Sequence, residues 1–168
     1  MDDISYMTLG PNEWYGCLYY NVMKMGDNEY VLFGFDGNGK TVNHKIADVL
    51  VIDENKITLG KEIFEDKENL GTFQNRLKIS YSSDANVNLN YNPSLKMIVH
   101  DHLITRMGRL EGQGPISVPD GSYEGYSYDD KKWHYKEKLF DHIYEEAPRP
   151  KPVFNKNKKE DKDLFGRS

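Results

Sequence analysis

Apolar positions in this chain fall in short runs bounded by Gly, Asn and Asp, and in places they alternate strictly with polar ones. Leu77, Ile79 and Tyr81 form one such alternation, and Val87, Leu89 and Tyr91 form another, with a turn over Ser82 to Ala85 between them. A period of two puts alternate side chains on one face, the mark of a half-buried strand. Trp14 to Val22 is an aromatic-rich first strand, and Tyr30 to Phe35 is a second, joined through a turn over Gly26 to Glu29. Three later segments share one formula of apolar strand, Asp- or Asn-rich turn, Lys and apolar strand: VIDENKITL, LNYNPSLKMIV and YSYDDKKWHY. Each predicts a hairpin, so neighbours in sequence should pair in space as an antiparallel meander.

Four stretches fit this pattern less well. Val42, Ile46, Val49 and Leu50 fall at helical spacing, which predicts a short helix over 41–48, and a second is expected over 138–146. Ile104 to Gly114 reads as a loop or irregular helix, and Pro119 to Ser122 as a chain-reversing turn. After Ala147 the composition changes: Pro148, Pro150 and Pro152 alternate with basic residues and are followed by NKNKKEDKD. Proline favours an extended chain and the charged run has little to bury. The expected fold is therefore mainly β. A domain over 1–147 forms a sandwich or partial barrel with few short helices, and 148–168 is an extended, charged C-terminal tail.

Composition sharpens this picture. The chain has 12 Tyr against 7 Phe and a net charge of −5. The tail nevertheless carries seven basic and three acidic residues between Arg149 and Ser168, leaving a more acidic body. An acidic body lacks the clustered Lys and Arg that phosphate contacts require, so no nucleic-acid partner is expected. No apolar run approaches membrane-spanning length, and the start MDDISYMTLG has neither the basic nor the apolar region of an export signal. Cys17 is the one cysteine and reads as a small buried hydrophobe.

One motif points to chemistry. Gly34 to Thr41, GFDGNGKT, matches G-x-x-x-x-G-K-[ST], in which backbone amides cradle phosphates, Lys40 would neutralise them and Thr41 would hold Mg²⁺. Against it, Val42 to Asp48 leaves room for about two helical turns and no returning loop before the run at Val49, too little for a parallel crossover. As a calcium loop counted from Asp36, the fifth and twelfth positions are Lys40 and Ala47, neither a suitable ligand. His100 and His102 share one face of a strand and could offer two metal ligands. No third ligand has a recognisable spacing, so two hydrogen-bonded histidines are expected, with no metal and no cofactor.

The segments WYGCLYYNV, VLFGFDGNG, KIADVLVID, MIVHDHL and GQGPISVPDGSYEGYSYDDKKWHY resemble the C-terminal half of a family of mostly exported, functionally uncharacterised proteins of Bacteroidota-type bacteria. The resemblance covers most of residues 12–150 and implies an envelope or extracytoplasmic setting. It implies no catalytic residues. The expected role is a non-catalytic interaction or structural module of a larger assembly that captures a protein partner. Its contacts would be Tyr126, Tyr128 and the tail anchors Phe154, Leu164 and Phe165, since aromatic residues are favoured at interfaces. The alternatives are a nucleotide-binding enzyme using Gly34, Gly39, Lys40 and Thr41, and a carbohydrate-binding module using exposed Tyr and Trp faces.

Overall fold

Two strands explain where the core sits. The computed structural model describes residues 4–37, 39–109, 112 and 114–141, the side chains of Phe140 and Asp141 excepted. In it, β2 (Glu29–Asp36) is buried at four consecutive positions from Val31 to Gly34, and β3 (Val42–Asp53) at four from Ile46 to Val49. A strand covered on both faces shows no period of two, and its apolar run cannot be told from a helix by spacing. That is why 41–48, expected as a helix, is instead the first half of the strand β3. The remaining strands are β1 (Leu18–Lys24), β4 (Lys56–Leu59), β5 (Phe64–Glu65), β6 (Phe73–Gln74), β7 (Arg76–Ser82), β8 (Leu89–Asn92), β9 (Met97–Met107), β10 (Pro115–Asp129) and β11 (Lys132–Asp141). The helix expected over 138–146 is strand as far as Asp141; the rest of it and the tail lie outside the described residues.

The strands form two sheets. In the first, β1, β2 and β3 are antiparallel neighbours, and the far side of β3 pairs with β7 along its first half and β4 along its second. The second runs β6-β5-β11-β10-β9-β8, antiparallel except for a parallel bridge between Trp133 and Phe64. The sheets pack face to face over one core, with Val31, Phe33, Ala47, Val49 and Leu77 from the first meeting Phe64, Leu89, Ile98, Tyr126 and Trp133 from the second. Neither sheet closes on itself. The fold is a β-sandwich, mainly antiparallel, as the sequence predicts. At one side the sheets are tied by hydrogen bonds from the Tyr20 hydroxyl to the Leu89 carbonyl and from the Asn21 amide to Asn90, both 2.6 Å.

All three hairpins of the shared formula form, as β3–β4, β8–β9 and β10–β11. Asp130 and Lys131 both take positive φ in the last, the tight turn that matches the twist of its strands. Elsewhere neighbours in sequence part company. The turn after Ser82 carries the chain from β7 in one sheet to β8 in the other. Of Ile104 to Gly114 the first four residues are strand: Leu103 to Met107 pairs with Pro115 to Pro119, beyond the described pairings of β8 and β11. Pro119 to Ser122 does not reverse the chain. It is a bulge inside β10, with Gly121 at φ +94° and the Asp120 carboxylate accepting hydrogen bonds from the Ser122 amide and hydroxyl.

Candidate functional site

The N-terminal segment covers the outer face of the first sheet, and buried charge holds it there. Asp48 and Arg76 face each other in register on β3 and β7, both fully buried, with Arg76 Nε donating to Asp48 Oδ2 at 2.6 Å. Each guanidinium nitrogen and each carboxylate oxygen has a partner. The guanidinium also donates to the carbonyls of Ile4 and Leu59, and Asp48 accepts from the Tyr15 hydroxyl and the Val49 amide. Burial pushes the Asp48 carboxyl up, while Arg76, Tyr15 and Val49 oppose that shift. Gly60, at φ +99°, passes so close that a Cβ there would lie 2.6 Å from both Arg76 Nη2 and the Met7 carbonyl. Fully buried and with a partner for each nitrogen and oxygen, this cluster is a structural clamp.

A second charged cluster, on the other sheet, is not closed in this way. Glu124 on β10 stands in register with His100 on β9, and both are buried. His102 lies two residues along the same strand, so the bulge at Asp120 brings a carboxylate to it: His102 Nδ1 lies 2.9 Å from Asp120 Oδ2. The Ser122 amide and then its hydroxyl, with His102, hold the Asp120 carboxyl down to about 2. His100 Nδ1 lies 3.0 Å from the Asp101 carbonyl. A carbonyl only accepts, so Nδ1 carries the proton of the neutral ring and Nε2 is left as an acceptor. Burial also pushes the His100 imidazole down, which favours that neutral form, although Glu124 and the Asp101 carbonyl oppose the shift.

The Nε2 acceptor faces another acceptor. His100 Nε2 and Glu124 Oε2 are 3.7 Å apart, and Oε2 is buried without a hydrogen-bond partner. Lys67 Nζ stands 3.6 Å from the same oxygen, and His102 Nε2 stands 3.4 Å from Oε1. Burial, then the charge of Glu124, pushes the Tyr135 phenol up. Of these groups His100, Glu124 and Lys67 border a cleft of about 730 Å³ between β7 and the β9–β10 pair. Its walls carry hydroxyls and amides, among them Asn69, Gln74, Ser80, Thr105 and Ser117. At its edge Tyr6 is half exposed, its hydroxyl donated to Asp66 at 2.8 Å. Burial would raise the Asp66 carboxyl, but hydrogen bonds from Glu68, Tyr6 and Asn69 outweigh it and hold the group low.

The residues singled out in the sequence are placed as follows. Tyr126 is core, 3% exposed, with its ring 5.6 Å from that of Tyr135, so it offers no surface to a partner; Tyr128 is 42% exposed and leans on the buried Trp133. Phe154, Leu164 and Phe165 lie outside the described residues. Gly34 sits within β2, where a Cβ would lie 2.3 Å from Cys17 Sγ, and Gly39 is in the following turn, where a Cβ would lie 2.1 Å from the Val42 carbonyl. Lys40 and Thr41 join β2 to its antiparallel neighbour β3, so the segment is a hairpin and not the strand–loop–helix of a phosphate-binding loop. Both glycines thus answer to packing.

Of the two histidines noted in the sequence, the structure adds Glu124, Asp120, Lys67 and Tyr135, which sequence reasoning missed. A signal existed for Glu124: it stands two residues before Tyr126, in phase with the inward face of its strand. Among the described residues no group of three or more His, Cys, Asp or Glu side chains is arranged to hold a metal ion. No helix among them is long and apolar enough to cross a membrane. No protein-family model, curated protein or solved structure matches this chain.

Proposed function

We propose that this β-sandwich is a recognition module that binds a small ligand, or a small part of a larger one, in the cleft at Glu124. One observation carries this reading: the cleft is lined mostly by polar and charged side chains and is bordered by the buried His100–Glu124 pair, whose Oε2 accepts no hydrogen bond. Groups held in place by burial lose little freedom when a ligand binds beside them. The cleft volume falls within the range of small-molecule sites. Backbone amide chemical-shift mapping with N-acetyl-lysine methylamide, citrate and free sugars tests the reading. Saturable shifts centred on His100 to Thr105 and Ser117 to Tyr126 for any of these probes support it. Silence from all of them at those amides contradicts it.

A second reading, docking on a protein partner within an assembly, is favoured by the ribbon of Leu103–Met107 and Pro115–Pro119. Among the described residues no further strand pairs with its outer edges, and it exposes Ile104 (41%) and Met107 (70%). Free edges with apolar side chains suit an added strand from a partner. The tail anchors Phe154, Leu164 and Phe165 would extend that contact, and Tyr128, at the opposite end of β10, would form a separate one. Deleting residues 149–168 is expected to leave the domain folded while removing capture of the partner. A tail-less chain that retains the same partner would count against the tail.

A further inference from the structure

Four successive residues of β7, Leu77 to Ser80, line the cleft. Side chains alternate between the faces of a strand, so such a run borders one open space only along the strand's edge. Backbone groups alternate in the same way, each residue turning its amide and carbonyl to one edge. On β3 the Val49 carbonyl accepts from the Gly60 amide, on the side that β4 and β7 share, while the Ile52 amide donates to the Asn28 carbonyl on the β2 side. By that alternation Ala47, Lys45 and Asn43 bond to their register partners Leu77, Ile79 and Tyr81. Lys78, half-buried, and Ser80, exposed, therefore turn their amides and carbonyls away from β3. Among the described residues no strand pairs with that edge.

Taking the cleft to be the binding site, we propose that it takes an extended peptide segment of net positive charge, which adds to β7 as a further strand through Lys78 and Ser80. Two donors and two acceptors repeated at strand spacing are the complement of another extended backbone, and no single ion or ring satisfies all four. The lining sets the sign of the charge. Four carboxylates, Asp66, Glu68, Asp101 and Glu124, stand against two ammonium groups, Lys67 and Lys78. An acidic segment is repelled there and a basic one is drawn in. Ile79 and Leu103, half-buried on facing walls, receive an apolar side chain of the segment. None of these contacts needs the buried Oε2 of Glu124. Set inside a cleft, the edge is shielded from pairing with a whole sheet but admits a single segment.

The test is a titration of the full chain with acetyl-Thr-Val-Lys-Val-Thr-amide, followed by amide shifts and hydrogen exchange. A counterpart with Glu in place of Lys, a copy with every backbone amide N-methylated, and the small probes named above are run in parallel. The Lys peptide is expected to bind saturably, with shifts and slowed exchange at the Lys78 and Ser80 amides. The Glu peptide is expected to bind several-fold more weakly, and the N-methylated copy, which has no donors, not measurably. Ser80→Pro removes one outward donor, a change that edge strands tolerate, and is expected to weaken the Lys peptide by about tenfold. Ser80→Ala keeps the donor and is expected to leave binding unchanged. Equal binding of the N-methylated copy, or exchange at Lys78 and Ser80 unaltered by the peptide, would overturn the proposal. Slow exchange at both amides before any peptide is added would overturn it too, by showing the edge already occupied by this chain or a second copy. A small probe bound at His100 to Thr105 with no peptide bound would overturn it while leaving the cleft as the binding site. No binding by any probe would remove both.

Discussion

The two sheets each bury a pair of facing charged or titratable groups, and the pairs differ in whether they are complete. Asp48 and Arg76 meet directly at 2.6 Å, and carbonyls, a phenol and an amide take up what remains. Glu124 and His100 are equally in register, yet they stand 3.7 Å apart as two acceptors, and the Lys67 ammonium stops 3.6 Å from Oε2, which accepts no hydrogen bond. Burying charge is expensive unless its partners are all present. The first cluster meets that condition within the chain and clamps the N-terminal segment to its sheet. The second does not, and it opens on a cleft. Burial alone therefore does not mark function; incomplete burial beside open space does.

The sharpest way to break this comparison is to damage the closed cluster. Arg76→Met leaves Asp48 as a buried charge without its partner, and a loss of about 3–5 kcal/mol in unfolding free energy is expected in urea titration. Pairing it with Asp48→Leu should recover much of that loss, because two apolar side chains leave no stranded charge. Gly60→Ala acts on the same clamp through the backbone. With φ at +99° and both Arg76 and the Met7 carbonyl 2.6 Å from the new Cβ, a loss of about 1–3 kcal/mol is expected by thermal unfolding.

Effects at the open cluster should be smaller on stability. The His100 imidazole is held below its ordinary value of 6.5, so the unfolded chain takes up the proton first as pH falls. The stability that the neutral ring contributes is present above that pH and declines as pH drops through it. The slope is at most about 1.4 kcal/mol per pH unit, read as melting temperature against pH. His100→Phe should flatten the profile between pH 7 and 5. Smallest is Asp120, whose carboxyl is lowered from 3.8 to about 2. Its contribution is full above the higher value and is lost between the two, and Asp120→Asn should remove that step alone.

Much of this fold was legible from the residues. The turn chemistry of DEN, NPS and DDK located three hairpins, because those residues adopt or cap tight turns wherever they occur. What failed did so for definite reasons. β3 is covered on both faces, which erased its period and left a helical spacing in its place. Pro119-Asp120-Gly121-Ser122 has turn composition, but such residues also build bulges, and only the pairing with β9 decides between them. In the site, His100 and His102 announced themselves by their shared strand face. Glu124 was signalled only by its phase with Tyr126, and its partnership with His100 did not show, since register between strands is set by tertiary packing and is invisible along one chain. Asp48 was signalled more plainly, as a charge inside an apolar run, and that mark is common to both clusters.

The contrast between a complete and an incomplete buried cluster is tested most directly by equilibrium unfolding of Asp48→Asn and Glu124→Gln measured side by side. Asp48→Asn, which strands Arg76, is expected to lose about 3–5 kcal/mol. Glu124→Gln, which neutralises an oxygen that lacks a hydrogen bond, is expected to stay within about 1 kcal/mol of the parent chain or to gain stability. Equal and large losses in both would show that Glu124 is as much a part of the scaffold as Asp48, and would contradict the account.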